Sequence, residues 1–228
     1  MNILCKLIIF IVSGIEVNKL KKGIIIGCTL LVLAGVIGTT GVSIYVGWNL
    51  THPERNKIVE TPEEYSLKYD NISFKSQLDG VDLRGWWIPA QNSSSISASN
   101  KTVIFAHGYK DTRDLSKIHV LELAKFIAQN GYNVMLFDFR NSGESGGSVT
   151  SVGLFETYDM LSAIKYAKEN EKSDKISLLG WSMGAAVSIM AGTVSPAVNA
   201  IIADSSFAVL DTYLKTDLPH WSDLPGFP

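Results

Sequence analysis

"KISLLGWSMGAAVSIMAG", Lys175 to Gly192, is the stretch that decides the fold. It reads as a buried strand, a sharp turn carrying Ser182, and a helix of small residues. Ser182 sits in G-x-S-x-G, after a strand and before a helix. That context strains the turn and lifts the hydroxyl clear of the backbone, while Gly180 and Gly184 let neighbouring backbone approach. The helix start adds unpaired N–H groups and a field that favours developing negative charge. A serine presented this way is a nucleophile, and its hydroxyl needs a general base. Only 46 residues follow Ser182.

Outward from this stretch the chain alternates strand and helix. "KTVIFAHG", "YNVMLFDF", "KISLLG" and "VNAIIADSSF" are near-continuous apolar runs. Amphipathic segments separate them: Val120, Leu121, Ala124, Ile127 and Ala128 share one helical face, and Leu154, Tyr158 and Leu161 mark the next helix. This pattern predicts a parallel sheet covered on both faces. Ahead of it, "NISFKSQLDGVDLRGWWIP" holds two strand-like runs about Asp79-Gly80, a hairpin signal. Trp86 and Trp87 are read as packing residues of that hairpin. "TPEE" at Thr61 to Glu64 has the form of a helix start.

Ligands of open parallel sheets bind at the carboxyl ends of the strands. Three polar clusters fall there: "HGYKDTR", "DFRNSGESGGS" and "GWSMG". The N–H of Tyr109 and that of Met183 are the expected oxyanion donors. His107, before Gly108 at a strand end, is read as a loop-shaping residue rather than the base. Arg113, Asp138 and Arg140 are read as loop-stabilising charges. Glu144 and Ser145 are placed at the mouth of the site.

Near the N-terminus, Gly23 to Trp48 holds 26 residues without a charge. As a helix it extends about 39 Å, enough to cross a bilayer with some tilt. Lys19, Lys21 and Lys22 precede it, which places the N-terminus in the cytoplasm and the rest outside. A cleaved signal peptide is the rival reading; the run is long for one and ends in no A-x-A site. The expected organisation is a cytoplasmic segment 1–22, a transmembrane helix 23–48, a linker 49–62 and a partial α/β domain 63–228. The expected localisation is a single-pass protein of the cell membrane.

The chain carries 20 Lys+Arg and 22 Asp+Glu, a formal charge of −2, with no basic block to suggest nucleic acid. Both cysteines, Cys5 and Cys28, lie in the N-terminal apolar runs, so the later domain has no disulfide framework or cysteine metal site. His52, His107 and His119 lack the spacing of metal ligands. No cofactor is implied.

"HGYKDTR", "DFRNSGES", "GWSMG" and "ADSSF", in this order and spacing, resemble the bacterial α/β-hydrolase superfamily, and most of all its membrane-anchored members that are esterase-like or serine-aminopeptidase-like. The resemblance runs from about Glu63 to the end. It implies Ser182 as nucleophile, Tyr109 and Met183 as the oxyanion hole, and an ester, thioester or amide substrate cleaved through an acyl-enzyme. The family's chain order continues with an acid and then a histidine. Here the formal order is met only by His220, with Asp204, Asp211 and Asp217 before it. His220 lies in "LPHWSDLPGFP", which looks like the start of a cap or lid. The expectation is therefore a hydrolase domain incomplete at its C-terminal end. The alternative is a catalytically inactive membrane-anchored pseudoenzyme or binding protein.

Overall fold

Asp79 and Gly80 turn the chain where the sequence signal places them. Gly80 adopts φ 76°, a left-handed conformation that favours glycine. The turn joins β1 (Asp70–Lys75) to β2 (Asp82–Ile88), paired antiparallel from Asp70 opposite Trp87 to Lys75 opposite Asp82. The computed structural model describes the backbone of residues 3–92 and 95–221, and within them the side chains of residues 18–217, Leu20 excepted.

Four further strands follow: β3 (Lys101–Ala106), β4 (Asn133–Phe137), β5 (Lys175–Trp181) and β6 (Val198–Asp204). The sheet order is β1-β2-β4-β3-β5-β6. The hairpin joins through an antiparallel β2–β4 pairing, and the other pairings are parallel. Between the strands run α2 (Val120–Gln129), α3 (Leu154–Glu169) and α4 (Met183–Val194), and α5 (Leu210–Trp221) follows β6.

Alternation along each strand splits the core in two. Ile104, Met135, Phe137 and Leu178 face α3 and α4, against Met160, Ile164, Met183 and Val187. Val103, Phe105, Val134, Leu136 and Leu179 face α2, against Leu121, Ala124 and Ala128. Trp87 belongs to the first cluster and Trp86 to the second, so both tryptophans are packing residues, one on each face. Each such side chain contributes on the order of 1.5–3 kcal/mol by leaving water.

The "TPEE" start forms a single 3-10 turn, Pro62–Tyr65. The Glu64 carboxylate accepts both the N–H (3.0 Å) and the hydroxyl (3.1 Å) of Thr61. The N-terminal apolar run lies within one helix, α1 (Ile3–Thr51). From Lys21 to Thr51 it is long and apolar enough to cross a membrane, the one such helix among the described residues.

The end of α1 does not stand free of the domain. Val46 and Leu50 are buried against Tyr109 and Leu214. The Thr150 N–H donates to the Thr51 carbonyl (2.8 Å), and the Tyr109 hydroxyl donates to the Leu50 carbonyl (2.8 Å). The polar segment after α1 is also held. Arg55 donates to the carbonyls of Ser145 and Gly147, and the N–H groups of Val59 and Glu60 donate to buried Asp114 (2.8 and 3.1 Å). In sequence this segment reads as a linker; in three dimensions it is fastened along the domain.

Candidate active site

Parallel strands β3 and β5 are neighbours, yet the chain leaves β3 toward β4 on one side and β5 toward β6 on the other. This reversal opens a crevice beyond their carboxyl ends. Ser182 stands there between β5 and α4, with φ 52° and ψ −114°. A positive φ is a sparsely populated conformation for a residue with a Cβ. The surrounding glycines explain how it is held. A Cβ on Gly180 would strike the Gly184 backbone, and one on Gly184 would strike the Ala106 carbonyl. The elbow closes because both positions lack a side chain. The Ser182 N–H is bound by the Asp204 carbonyl (2.9 Å), which ties the turn to the end of β6.

The loop after β3 packs against this elbow: a methyl placed on Gly108 would lie 3.6 Å from the Ser182 Cβ. Ser182, Tyr109 and Met183 line one cleft of about 350 Å³ together with Leu50, Phe207 and Leu214. Met183 opens α4, so its N–H is one of the first-turn donors with no acceptor inside the helix.

His107 is fixed away from this cleft's chemistry. It is wholly buried, its Nδ1 donates to the Gly108 carbonyl (2.8 Å), and its Nε2 accepts the Phe139 N–H (3.0 Å). A backbone donor on Nε2 leaves the proton on Nδ1. Burial holds its pKa below the ordinary 6.5. Both ring nitrogens are therefore spent on loop shape, as the sequence position suggested.

The loop charges form two buried centres. Arg113 pairs with Asp138 (2.9 Å) and lies 4.3 Å from the Trp86 ring centre. Asp138 also accepts the N–H groups of Arg113 and Glu144 (2.8 and 3.0 Å). Burial pushes its pKa up to about 6, against the opposing pull of Arg113. Arg140 binds Asp159 and Asp79 (2.8 and 2.9 Å). Burial opposes its charge, but the hydrogen bonds it donates to these two carboxylates raise its pKa. Glu144 and Ser145 need correcting. Glu144 pairs with Arg113, and the Ser145 hydroxyl donates to the Asp138 carbonyl (2.6 Å). Both fasten the loop after β4 and neither lines the Ser182 cleft: Ser145 is buried beneath the loop, while the exposed Glu144 side chain turns to Arg113.

These features match a known family. Residues 97–224, more than half of the 228-residue chain, fit the family described as Hydrolase_4, serine aminopeptidase, S33. The chain belongs to the S33 serine aminopeptidase family. Its architecture is the α/β-hydrolase fold, shared with a Pyrococcus furiosus esterase, Pf2001. That structure superposes with a TM-score of 0.67 and 35% identity, covering 76% of this chain and 66% of the esterase. The Escherichia coli O157:H7 protein YfhR is 27% identical over 162 residues, 69% of this chain and 54% of YfhR. The bovine lysophosphatidylserine lipase ABHD12 is 31% identical over 108 residues, 45% of this chain and 26% of the lipase. The chain spans about half the length of the first bacterial relatives it matches.

Within this S33 chain the candidate acids and the candidate base from the sequence stand as follows. Asp204 ends β6, and its carboxylate accepts the neighbouring Ser205 hydroxyl (2.8 Å). Asp211 pairs with Lys215 (3.1 Å), and Asp217 accepts the Thr216 hydroxyl (2.5 Å). No histidine is bound to any of the three among the described residues. His220 belongs to the last turn of α5, so the Pro-rich stretch begins as helix rather than loop; its side chain lies outside the described residues. Among the described residues no group of His, Cys, Asp and Glu could hold a metal ion. Sequence reasoning missed two walls of the cleft, Leu50 from α1 and Leu214 from α5. Neither carries a motif.

Proposed function

We propose that this chain is the nucleophile-bearing part of a membrane-tethered serine hydrolase. The observation that carries the reading is the strained, glycine-flanked Ser182, open to a cleft shared with Tyr109 and Met183. The Ser182 Oγ attacks the carbonyl carbon of an ester, thioester or amide and gives its proton to a general base. The carbonyl oxygen becomes an oxyanion, met by the N–H groups of Tyr109 and Met183. Collapse breaks the bond to the leaving group, which takes the proton, and water then releases the acid from Ser182. An ester is the favoured substrate, supported by the esterase and lipase among the similar proteins.

The acid and histidine of this mechanism belong to chain beyond Pro228. Two observations support that reading: the exposed apolar face of β6, and the share of the relatives' length that the chain spans. The α1 span serves as an uncleaved anchor, with the domain outside the cytoplasm. The carboxylates of Asp204, Asp211 and Asp217 bind neighbours on their own segments, which favours a second reading for the 228 residues alone: a binding domain without turnover, with His220 the remaining base to test.

Fluorophosphonate labelling of the protein in its natural membrane tests the chemistry. Labelling is expected, and Ser182→Ala abolishes it, with any hydrolysis falling by roughly 10⁴–10⁶-fold. Equal labelling of the variant would overturn the assignment. Reading the coding sequence past Pro228 tests the acid and base: an Asp and then a His at strand ends supports them, and an immediate stop codon leaves the binding reading.

A further inference from the structure

Two separate parts of the chain hold Tyr109, the residue whose N–H is the expected oxyanion donor. That N–H shares a peptide group with the Gly108 carbonyl, and the group is planar and trans. The carbonyl accepts the His107 ring (2.8 Å) and the Asp111 N–H (3.3 Å). With this edge bound to the buried ring, the Tyr109 N–H points the opposite way. The loop is thus pinned from the sheet side.

Its outer side is held from the end of α1. The Tyr109 hydroxyl donates to the Leu50 carbonyl (2.8 Å). Burial pushes its pKa up to about 12, so the hydroxyl keeps its proton and stays a donor. The next residue, Lys110, has φ 62°, a left-handed conformation that a residue with a Cβ keeps only where its surroundings hold it. Its carbonyl accepts the side-chain amide of Asn56. Further on, Asp114 accepts the N–H groups of Val59 and Glu60 (2.8 and 3.1 Å) and the Thr112 hydroxyl. Residues 50–60 therefore run along the loop after β3 from Tyr109 to Asp114. Leu50 and Asn56 also line the Ser182 cleft, beside Tyr109 and Lys110.

We propose that the end of α1 is a positioning part of the active site: Leu50, through the Tyr109 hydroxyl, and Asn56, through the Lys110 carbonyl, hold the oxyanion loop so that the Tyr109 N–H meets the developing charge. A donor serves an oxyanion only at about 2.7–3.1 Å. A misplacement of about 1 Å can cost about 100-fold in rate. His107 fixes one edge of the peptide plane, and the loop beyond Gly108 would swing about that point if its outer edge were loose. The bonds to residues 50 and 56 remove that freedom. The Tyr109 hydroxyl and Asn56 are accordingly positioning groups, while the backbone N–H is the one that touches the reacting oxygen. The proposal rests on the hydrolase reading above and adds to that site a segment that reads in sequence as a linker.

The test uses the protein isolated from its source cells, with each variant introduced into its own gene. Fluorophosphonate at saturation counts the competent Ser182 sites, and hydrolysis of p-nitrophenyl butyrate is expressed per labelled site. Tyr109→Phe keeps the ring and the backbone N–H and loses only the hydroxyl. Its kcat should fall about 10-fold to 100-fold with KM unchanged. A trifluoromethyl ketone adds reversibly to Ser182 and leaves an oxyanion between the same donors, so its Ki should rise by the same factor. A hydroxyl that served stability alone would lower the number of labelled sites and leave kcat per site and Ki unmoved. Asn56→Ala, at an exposed position, should lower kcat in the same manner, and it decides alone if Tyr109→Phe does not fold. Folded variants that match the parent protein in kcat and Ki per site overturn the proposal while the acyl-enzyme reading stands. A parent protein that never reacts with fluorophosphonate at Ser182 sinks the acyl-enzyme reading, and this inference with it.

Discussion

Strands β4 and β6 have similar apolar text and opposite fates. Every residue of β4, "NVMLF", is buried, between α2 on one face and α3 on the other. In β6, "VNAIIAD", six of the seven residues are exposed, Ile202 at 59%. A strand that apolar on both faces encodes cover on both faces. At β4 the cover is present; at β6 the described residues supply little of it. The site lies between these flanks. Ser182 and the N–H groups of Tyr109 and Met183 lie at the ends of β3 and β5, between the two flanks. The comparison teaches that apolar text alone does not bury a strand: cover has to arrive on both faces.

The sharpest way to break this comparison is to disturb the covered flank at its charged centre. Asp138→Ala removes the buried partner of Arg113 and leaves it only the exposed carboxylate of Glu144, and should cost about 3 kcal/mol in denaturant unfolding. A loss below about 1 kcal/mol would show that water reaches this flank as it reaches β6.

His107 gives a smaller, pH-dependent effect. Its folded pKa is depressed, so below the unfolded value of 6.5 the unfolded chain binds the extra proton and the native chain does not. Its contribution to stability is therefore present above pH 6.5 and is lost as pH falls below it. His107→Gln keeps an acceptor for the Phe139 N–H and should cost about 1–3 kcal/mol at neutral pH. The acid-side slope of stability should flatten in the variant. An unchanged slope between pH 5 and pH 7 would assign it to another group.

The smallest expected effect sharpens the comparison most. Ile202→Thr in the 228-residue chain should change stability by no more than about 0.5 kcal/mol, as for an ordinary surface change. The same substitution in the protein isolated from its source cells should cost well over 1 kcal/mol if strands or helices cover β6 there. Equal small effects in both would show that β6 is a true sheet edge.

Much of this arrangement could be read in the residues before any coordinates. The elbow at Ser182 was readable because strand, glycines and small-residue helix are all local. So was the Asp79-Gly80 hairpin, and so was the loop-shaping place of His107. The ion pairs of Arg113 and Arg140 were readable only as charges that needed partners. Asp159 sits on α3, far along the chain, and nothing in its spacing marks it as the partner of Arg140. The misplacing of Glu144 and Ser145 has the same origin. A polar loop after a strand reads as a mouth, and only the structure shows its residues bound to Asp138 and Arg113 instead. The docking of α1 was unreadable for a different reason. Leu50 and Leu214 are ordinary apolar residues, and a contact between them breaks no pattern in either segment.

That docking has a mechanical consequence. A helix joined to its domain by fixed bonds cannot tilt alone. Where a bilayer is thinner than the apolar stretch, such a helix leans to keep its length within the hydrocarbon. In the membrane-tethered reading proposed above, that lean is passed through Leu50, Thr51 and Arg55 to the whole domain. In that reading the thickness of the bilayer sets the angle of the domain against it, and the joint acts as a gauge of membrane thickness.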